Sequence, residues 1–232
     1  MAYKIYLSPS DQHSNRYAVG NTNEAEQCRK IALAAVKALE RCGFKAKTNT
    51  TWNGDDAMDK RIAESNAWGA DVHIPIHTNA FNGKVTGTRI YCYVLNGDGY
   101  RLSKAIMDSL SPVTPGASDN ITAYHWAEVV YTNAPTAYVE VGFHDNPMEA
   151  QWIIDHTEEI AEAITKGVCN FFGVTYLFPA TPATPPATVS GHTVYRVQVG
   201  AFGVRTNAES LRDKLKAAGY DAFIVESQNG GA

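Results

Sequence analysis

The sequence predicts an α/β domain, a largely parallel or mixed twisted sheet flanked by helices, followed by a small βαβ unit. Three observations carry this. Strand-like and helix-like segments alternate through the first 176 residues, which is the signature of a sheet with helical crossovers. A run rich in Pro, Thr and Ala then interrupts the chain at residues 177–191, where helix is excluded and extended, semi-rigid backbone is favoured. Beyond it, one strand–helix–strand pattern resumes over residues 192–232.

Taken in order, residues 4–7 read as a strand and 24–42 as a helix. Asn23 is a suitable N-cap for that helix, Cys28, Ile31, Ala35 and Leu39 form its apolar stripe, and Gly43 is suited to end it. Strand-like segments follow at 45–48, 72–76, 88–94 and 138–141, and helix-like ones at 56–68, 100–110 and 158–172. In the tail, Tyr195, Val197 and Val199 alternate, Ala208, Leu211, Leu215 and Ala218 keep helical spacing, and 222–225 reads as a second strand. The length suits one large and one small domain.

Bulk properties remove several function classes. A net charge of −4, with no Lys/Arg run, argues against nucleic acid as partner. No stretch approaches the roughly 18 apolar residues of a membrane span. The first residues, Met1 to Leu7, pass directly into a strand pattern without the core of a signal peptide, so synthesis in the cytoplasm without export signal is expected. Cys28, Cys42, Cys92 and Cys169 lie far apart and form no Cys-x-x-Cys pair, and are expected reduced and mostly buried.

In an open α/β sheet, ligands gather past the carboxyl ends of parallel strands. His13 lies in the loop after the first strand, His77 ends Val-His-Ile-Pro-Ile-His, and Glu140 ends Ala-Tyr-Val-Glu. Glu24 opens the first helix on the same rim, and it shares the face of Cys28, Ile31 and Ala35, which turns its carboxylate toward the sheet. A buried carboxylate needs a cation. Two imidazoles and a carboxylate with an open fourth position are the donor set of a hydrolytic Zn2+ site, so His13, Glu24 and His77 are expected as metal ligands and Glu140 as catalytic general base. Taken singly, each has a plainer explanation: Glu24 complements the helix dipole, and a histidine at a strand end is usually a hydrogen-bonded surface group. Joint placement on one rim outweighs these. His73, on the same strand face as His77, is either a partner behind the metal ligands or, the favoured reading, a packing residue; His144 is at best a substrate contact, and His125, His156 and His192 have no comparable argument. Tyr124 and Trp126 suit either sugar stacking or core packing.

Three motifs together, Thr-Asn-Glu at 22–24, Pro-Ile-His-Thr-Asn-Ala at 75–80 and Tyr-Val-Glu-Val-Gly-Phe-His-Asp-Asn-Pro at 138–147, resemble the N-acetylmuramoyl-L-alanine amidase family 3 over residues 3–174. The resemblance implies a zinc-dependent peptidoglycan hydrolase that cuts the amide between N-acetylmuramic acid and L-alanine. In it, His77 and Glu24 fall on zinc ligands, Glu140 on the catalytic glutamate and Asn79 on a polar position beside the metal. Family members usually carry the first zinc histidine in an Asp-Pro-Gly-His-Gly-like turn, whereas the matching stretch here is Ser-Pro-Ser-Asp-Gln-His-Ser-Asn at 8–15. His13 takes that place with a short insertion, and a gap-free register puts Asp11 or Gln12 there.

The tail from Val194 onward resembles the first half of a SPOR module, a peptidoglycan-binding fold that usually holds this βαβ unit twice. A half module leaves a sheet edge unpaired, so weak self-association through residues 193–226 is expected. The implied partner is bacterial peptidoglycan, and the expected role is that of a phage or prophage endolysin acting on the wall after release. Two other accounts stand beside it: a zinc carboxypeptidase or endopeptidase of the stem peptide, and a catalytically inactive wall-binding protein.

Overall fold

The computed structural model describes residues 2–51, 57–116, 120–179, 199–200, 204–217 and 219–225. The chain divides into two compact units, residues 1–177 and 178–232.

The first unit is built on a six-stranded mixed sheet. Its strands are β1 (Lys4–Pro9), β2 (Lys45–Thr48), β3 (Val72–Asn79), β4 (Arg89–Cys92), β5 (Asn120–Ala123) and β6 (Tyr138–Phe143), in the spatial order β2-β1-β3-β6-β4-β5. Pairing is parallel from β2 through β1 and β3 to β6, β4 runs antiparallel to β6, and β5 is parallel to β4. The central strands β3 and β6 are buried nearly throughout, because both sheet faces are covered, and they carry polar groups, His73, His77, Thr78 and Glu140, into that interior.

Alternation along β1 shows how the two faces are assigned. Ile5 and Leu7 join the apolar core with Ile31, Ala35 and Leu39 of α1 (Glu24–Arg41). Tyr6 and Ser8 point the other way, where Tyr6 donates to Glu64 (2.6 Å) and Ser8 receives a bond from Arg61 (3.1 Å), both on α2 (Ala57–Trp68). On the α1 side, α6 (Thr157–Phe172) packs between α1 and α3 (Gly97–Leu110). Gly167 makes this possible, because a Cβ there would stand 2.5 Å from the Ile106 Cα.

The helix ends follow their sequence signals. Asn23 caps α1 by accepting from the Glu26 N–H at 3.0 Å, and Gly43, at φ 88°, turns the chain out of it. All four cysteines are free and buried. Three elements carry no strong periodic signal and were not expected: β5, the one-turn α4 (Ala127–Val130) and α5 (Pro147–Asp155). Pro147 at the start of α5 and Asn146, which accepts from the Met148 and Glu149 N–H groups, explain the last of these. The strand expected at 72–76 continues to Asn79, so His77 lies inside β3 rather than at its end.

In the second unit the expected helix is present as α7 (Arg205–Ala217). Of its flanking strands, 195–198 and most of the linker lie outside the described residues, and no strand is assigned at 222–225 among the described ones. No helix of the described residues is long and apolar enough to cross a membrane.

Candidate active site

The parallel register between β3 and β6 places His77 opposite Glu140, and this pairing is the foundation of the site. Glu24, the first residue of α1, meets the same point from the side. Its Oε1 lies 2.9 Å from His77 Nδ1, and the carboxylate is 1% exposed, as the helical face had implied. The second oxygen, Oε2, accepts from Asn15 Nδ2 at 2.7 Å. Asn15 also donates to Gln12 Oε1 (2.9 Å), and Gln12 Nε2 stands 3.4 Å from His77 Nδ1. The turn after β1 therefore closes over Glu24 and His77 with two amides.

Glu140 is 7% exposed and its Oε2 has no hydrogen-bond partner among the described residues. Burial pushes its carboxyl up to about 7, against a lowering pull from His77 and a further raising push from Glu24. A carboxyl that titrates near neutrality, with one oxygen free, suits a general base. Glu24 behaves oppositely: burial would raise it, but contacts with His77, Asn15 and Ser10 outweigh that and hold it below its ordinary value. His77 is raised to about 10, because carboxylates at Glu128 and Glu24 overcome the lowering effect of burial.

The donor chemistry at Glu24 and His77 suits zinc. An imidazole nitrogen and a carboxylate oxygen 2.9 Å apart can both reach an ion that each binds at about 2.0–2.2 Å. The third expected donor is not drawn in: His13 is exposed on the turn, and among the described residues no group of three or more His, Cys, Asp or Glu stands together as a metal centre would need. Gln12 is the turn residue whose side chain reaches His77.

Glu128, on α4, is a site residue that sequence reasoning missed. It is 2% exposed, accepts from Ser8 Oγ, and its Oε1 is 3.2 Å from His73 Nε2 while Oε2 is 3.8 Å from His77 Nε2. Burial would raise its carboxyl, but His73 and His77 hold it far below the ordinary value. Nothing in Ala-Glu-Val-Val marks that carboxylate as buried, since α4 is too short to show a face. His73 packs as expected, stacked on Tyr6 and bonded to Ser65 Oγ at 2.9 Å. His144 is buried too, with Nδ1 against Thr78 and its ring stacked on Tyr17. His192 lies outside the described residues.

One wall of the site is aromatic. The His77 ring stacks on Tyr138 with centroids 4.5 Å apart, Tyr138 meets Trp126 at 4.5 Å, and Trp126 meets Tyr91 and Tyr124 at 4.6 and 4.7 Å. Tyr124, at the outer end, is 49% exposed.

The family model described as N-acetylmuramoyl-L-alanine amidase matches residues 5–170, and the SPOR domain model matches residues 178–231. The N-acetylmuramoyl-L-alanine amidase CwlM of Bacillus licheniformis is 24% identical over 226 residues, covering 96% of this chain and 84% of that protein. The sporulation-specific N-acetylmuramoyl-L-alanine amidase of Bacillus subtilis is 25% identical over the same shares. Among solved structures, the catalytic domain of CwlV from Bacillus (Paenibacillus) polymyxa var. colistinus superposes with a TM-score of 0.67 at 16% identity, covering 75% of this chain and 99% of that one. The catalytic domain of an endolysin targeting Clostridia difficile gives 0.62 at 20% identity, over 72% and 97%. These structures share the fold. With the matched model spanning most of its length and a buried carboxylate–imidazole–carboxylate constellation at the sheet rim, the chain belongs to the N-acetylmuramoyl-L-alanine amidase family.

Proposed function

We propose that the chain hydrolyses the amide between N-acetylmuramic acid and L-alanine in bacterial peptidoglycan, with Glu140 as general base and zinc held by Glu24, His77 and a third donor from the turn after β1, for which His13 is the imidazole available. The observation that carries the chemistry is the orphaned, buried Glu140 carboxylate beside the Glu24–His77 pair. When bound, zinc supplies Lewis-acid polarisation of the scissile carbonyl. Glu140, ionised, takes a proton from the attacking water and passes it to the leaving nitrogen. That its Oε2 has no hydrogen-bond partner among the described residues supports this role. Glu24 stays ionised through the same pH range because its partners hold its carboxyl low. The amides of Gln12 and Asn15 orient Glu24 and close the site on the turn side.

Digestion of purified sacculi tests the bond. Newly exposed L-alanine amino termini are expected, while release of D-alanine or cross-link fragments would instead identify a stem-peptide carboxypeptidase or endopeptidase. Exhaustive EDTA dialysis is expected to abolish cleavage, and metal analysis of Glu24→Ala and His13→Ala names the coordinating set.

The match of the tail to the SPOR model supports peptidoglycan as its ligand, which raises the local concentration of the enzyme on the wall. We assign the whole chain an endolysin-like role and weak self-association through residues 193–226. Gel filtration of the full chain against one stopped at Tyr176 tests the latter, since identical monomeric behaviour of both removes it.

A further inference from the structure

Among the buried charges that the amidase chemistry does not use is Glu128 of α4. Glu128 has no place among the expected ligands or the general base, yet its carboxylate is shut inside the domain against both histidines of β3. Several elements hold it there. Ser8 of β1 donates to Oε1 while itself accepting from Arg61 Nε at 3.1 Å, and Arg61 in turn pairs with Asp11 at 3.3 Å. His73 approaches the same oxygen with Nε2 and is fixed at its other nitrogen by Ser65. With Oε1 anchored in this way, Oε2 is left to face His77 Nε2.

His77 thus stands between two carboxylates, Glu24 at Nδ1 (2.9 Å) and Glu128 at Nε2 (3.8 Å). The two contacts differ in kind: the first is within bonding distance, the second is an ion pair too long for a direct hydrogen bond. A lone pair on Nδ1 cannot face Glu24 at that separation without a cation between them. Whether that cation is a proton or a metal ion, the opposite nitrogen faces the Glu128 carboxylate. Which ring nitrogen of a histidine binds a metal is set by the partner of the other one.

We propose that Glu128 is a positioning residue for the metal centre: it holds the proton of His77 on Nε2, so that Nδ1 is the nitrogen presented, beside Glu24, to zinc. The inference rests on the zinc reading given above and adds to it the ring nitrogen used and the residue that selects it. The plainer alternative, a buried His73–Glu128 pair that only supports the packing of α4, is separable by experiment.

Zinc affinity of the full chain is measured by competition with a chromophoric chelator, beside thermal unfolding of the metal-free protein. Glu128→Ala is expected to weaken zinc binding about 10- to 100-fold, the loss typical of an outer-shell partner. Glu128→Gln, whose amide oxygen can still face an Nε2–H, is expected to recover most of it. Unchanged zinc affinity in Glu128→Ala, with only a lowered Tm, would overturn the proposal and leave the packing role. Should that variant fail to fold, 15N resonances of His77 in the zinc-loaded wild type decide: a protonated Nε2 and a metal-shifted Nδ1 support the assignment, and the reverse refutes it. If the wild type takes up no zinc, the reading beneath is overturned and this inference with it, whereas normal uptake by wild type and both variants overturns this inference alone.

Discussion

Glu140→Gln separates what the buried carboxylate does for catalysis from what it costs the fold. The substitution keeps the volume and removes the charge. In the metal-free protein the Glu140 carboxyl titrates at about 7 instead of its ordinary 4.5, mainly because burial disfavours the ion. A carboxyl raised in the folded state binds its proton more tightly there than in the unfolded chain, so folding stability falls as pH rises from about 4.5 to about 7 and is lowest above that window. At about 1.4 kcal/mol per pH unit, this window amounts to about 3 kcal/mol. The glutamine variant escapes that loss. Urea titrations with EDTA present should therefore give equal stabilities near pH 4.5, and by pH 8 the variant should be more stable by up to about 3 kcal/mol. Zinc-loaded Glu140→Gln should meanwhile keep its metal and lose about 10²- to 10⁴-fold in the rate of sacculus hydrolysis. A stability difference independent of pH would refute the reasoning from burial. A variant that still hydrolyses at nearly full rate would remove Glu140 from the mechanism.

Two further substitutions probe how the fold presents the site. Asn23→Ala deletes the cap that accepts from Glu26, so stability should fall by about 1 kcal/mol in urea, and zinc affinity should fall with it because Glu24 opens the same turn. Gly167→Val adds a Cβ that would stand 2.5 Å from the Ile106 backbone, and should cost about 1–3 kcal/mol by forcing α6 away from α3, with a matching drop in Tm.

Glu24 and Glu140 show how much of the site was legible beforehand. The helical spacing from Glu24 through Cys28 and Ile31 turns the carboxylate inward, and the structure buries it against His77. Glu140 and His77 follow from strand pattern, since residues on neighbouring parallel strands share a rim and the register puts them opposite each other. The turn after β1 did not yield to such reasoning. Its conformation depends on side-chain contacts, Asn15 with Glu24 and Gln12 with His77, that no periodicity encodes.

The sequence by itself determined the α/β layering, the helix ends at Asn23 and Gly43, the proline-rich break and the inward aim of Glu24, because each is a local matter of spacing, capping or backbone freedom. Only the tertiary structure decided that β4 runs antiparallel beside β6, that Glu128 is buried between His73 and His77, and that the Glu140 carboxyl titrates near neutrality. The reason is physical: strand direction within a sheet, desolvation and the field of a distant charge are set by what the rest of the chain brings into contact, and no window of neighbouring residues contains that information.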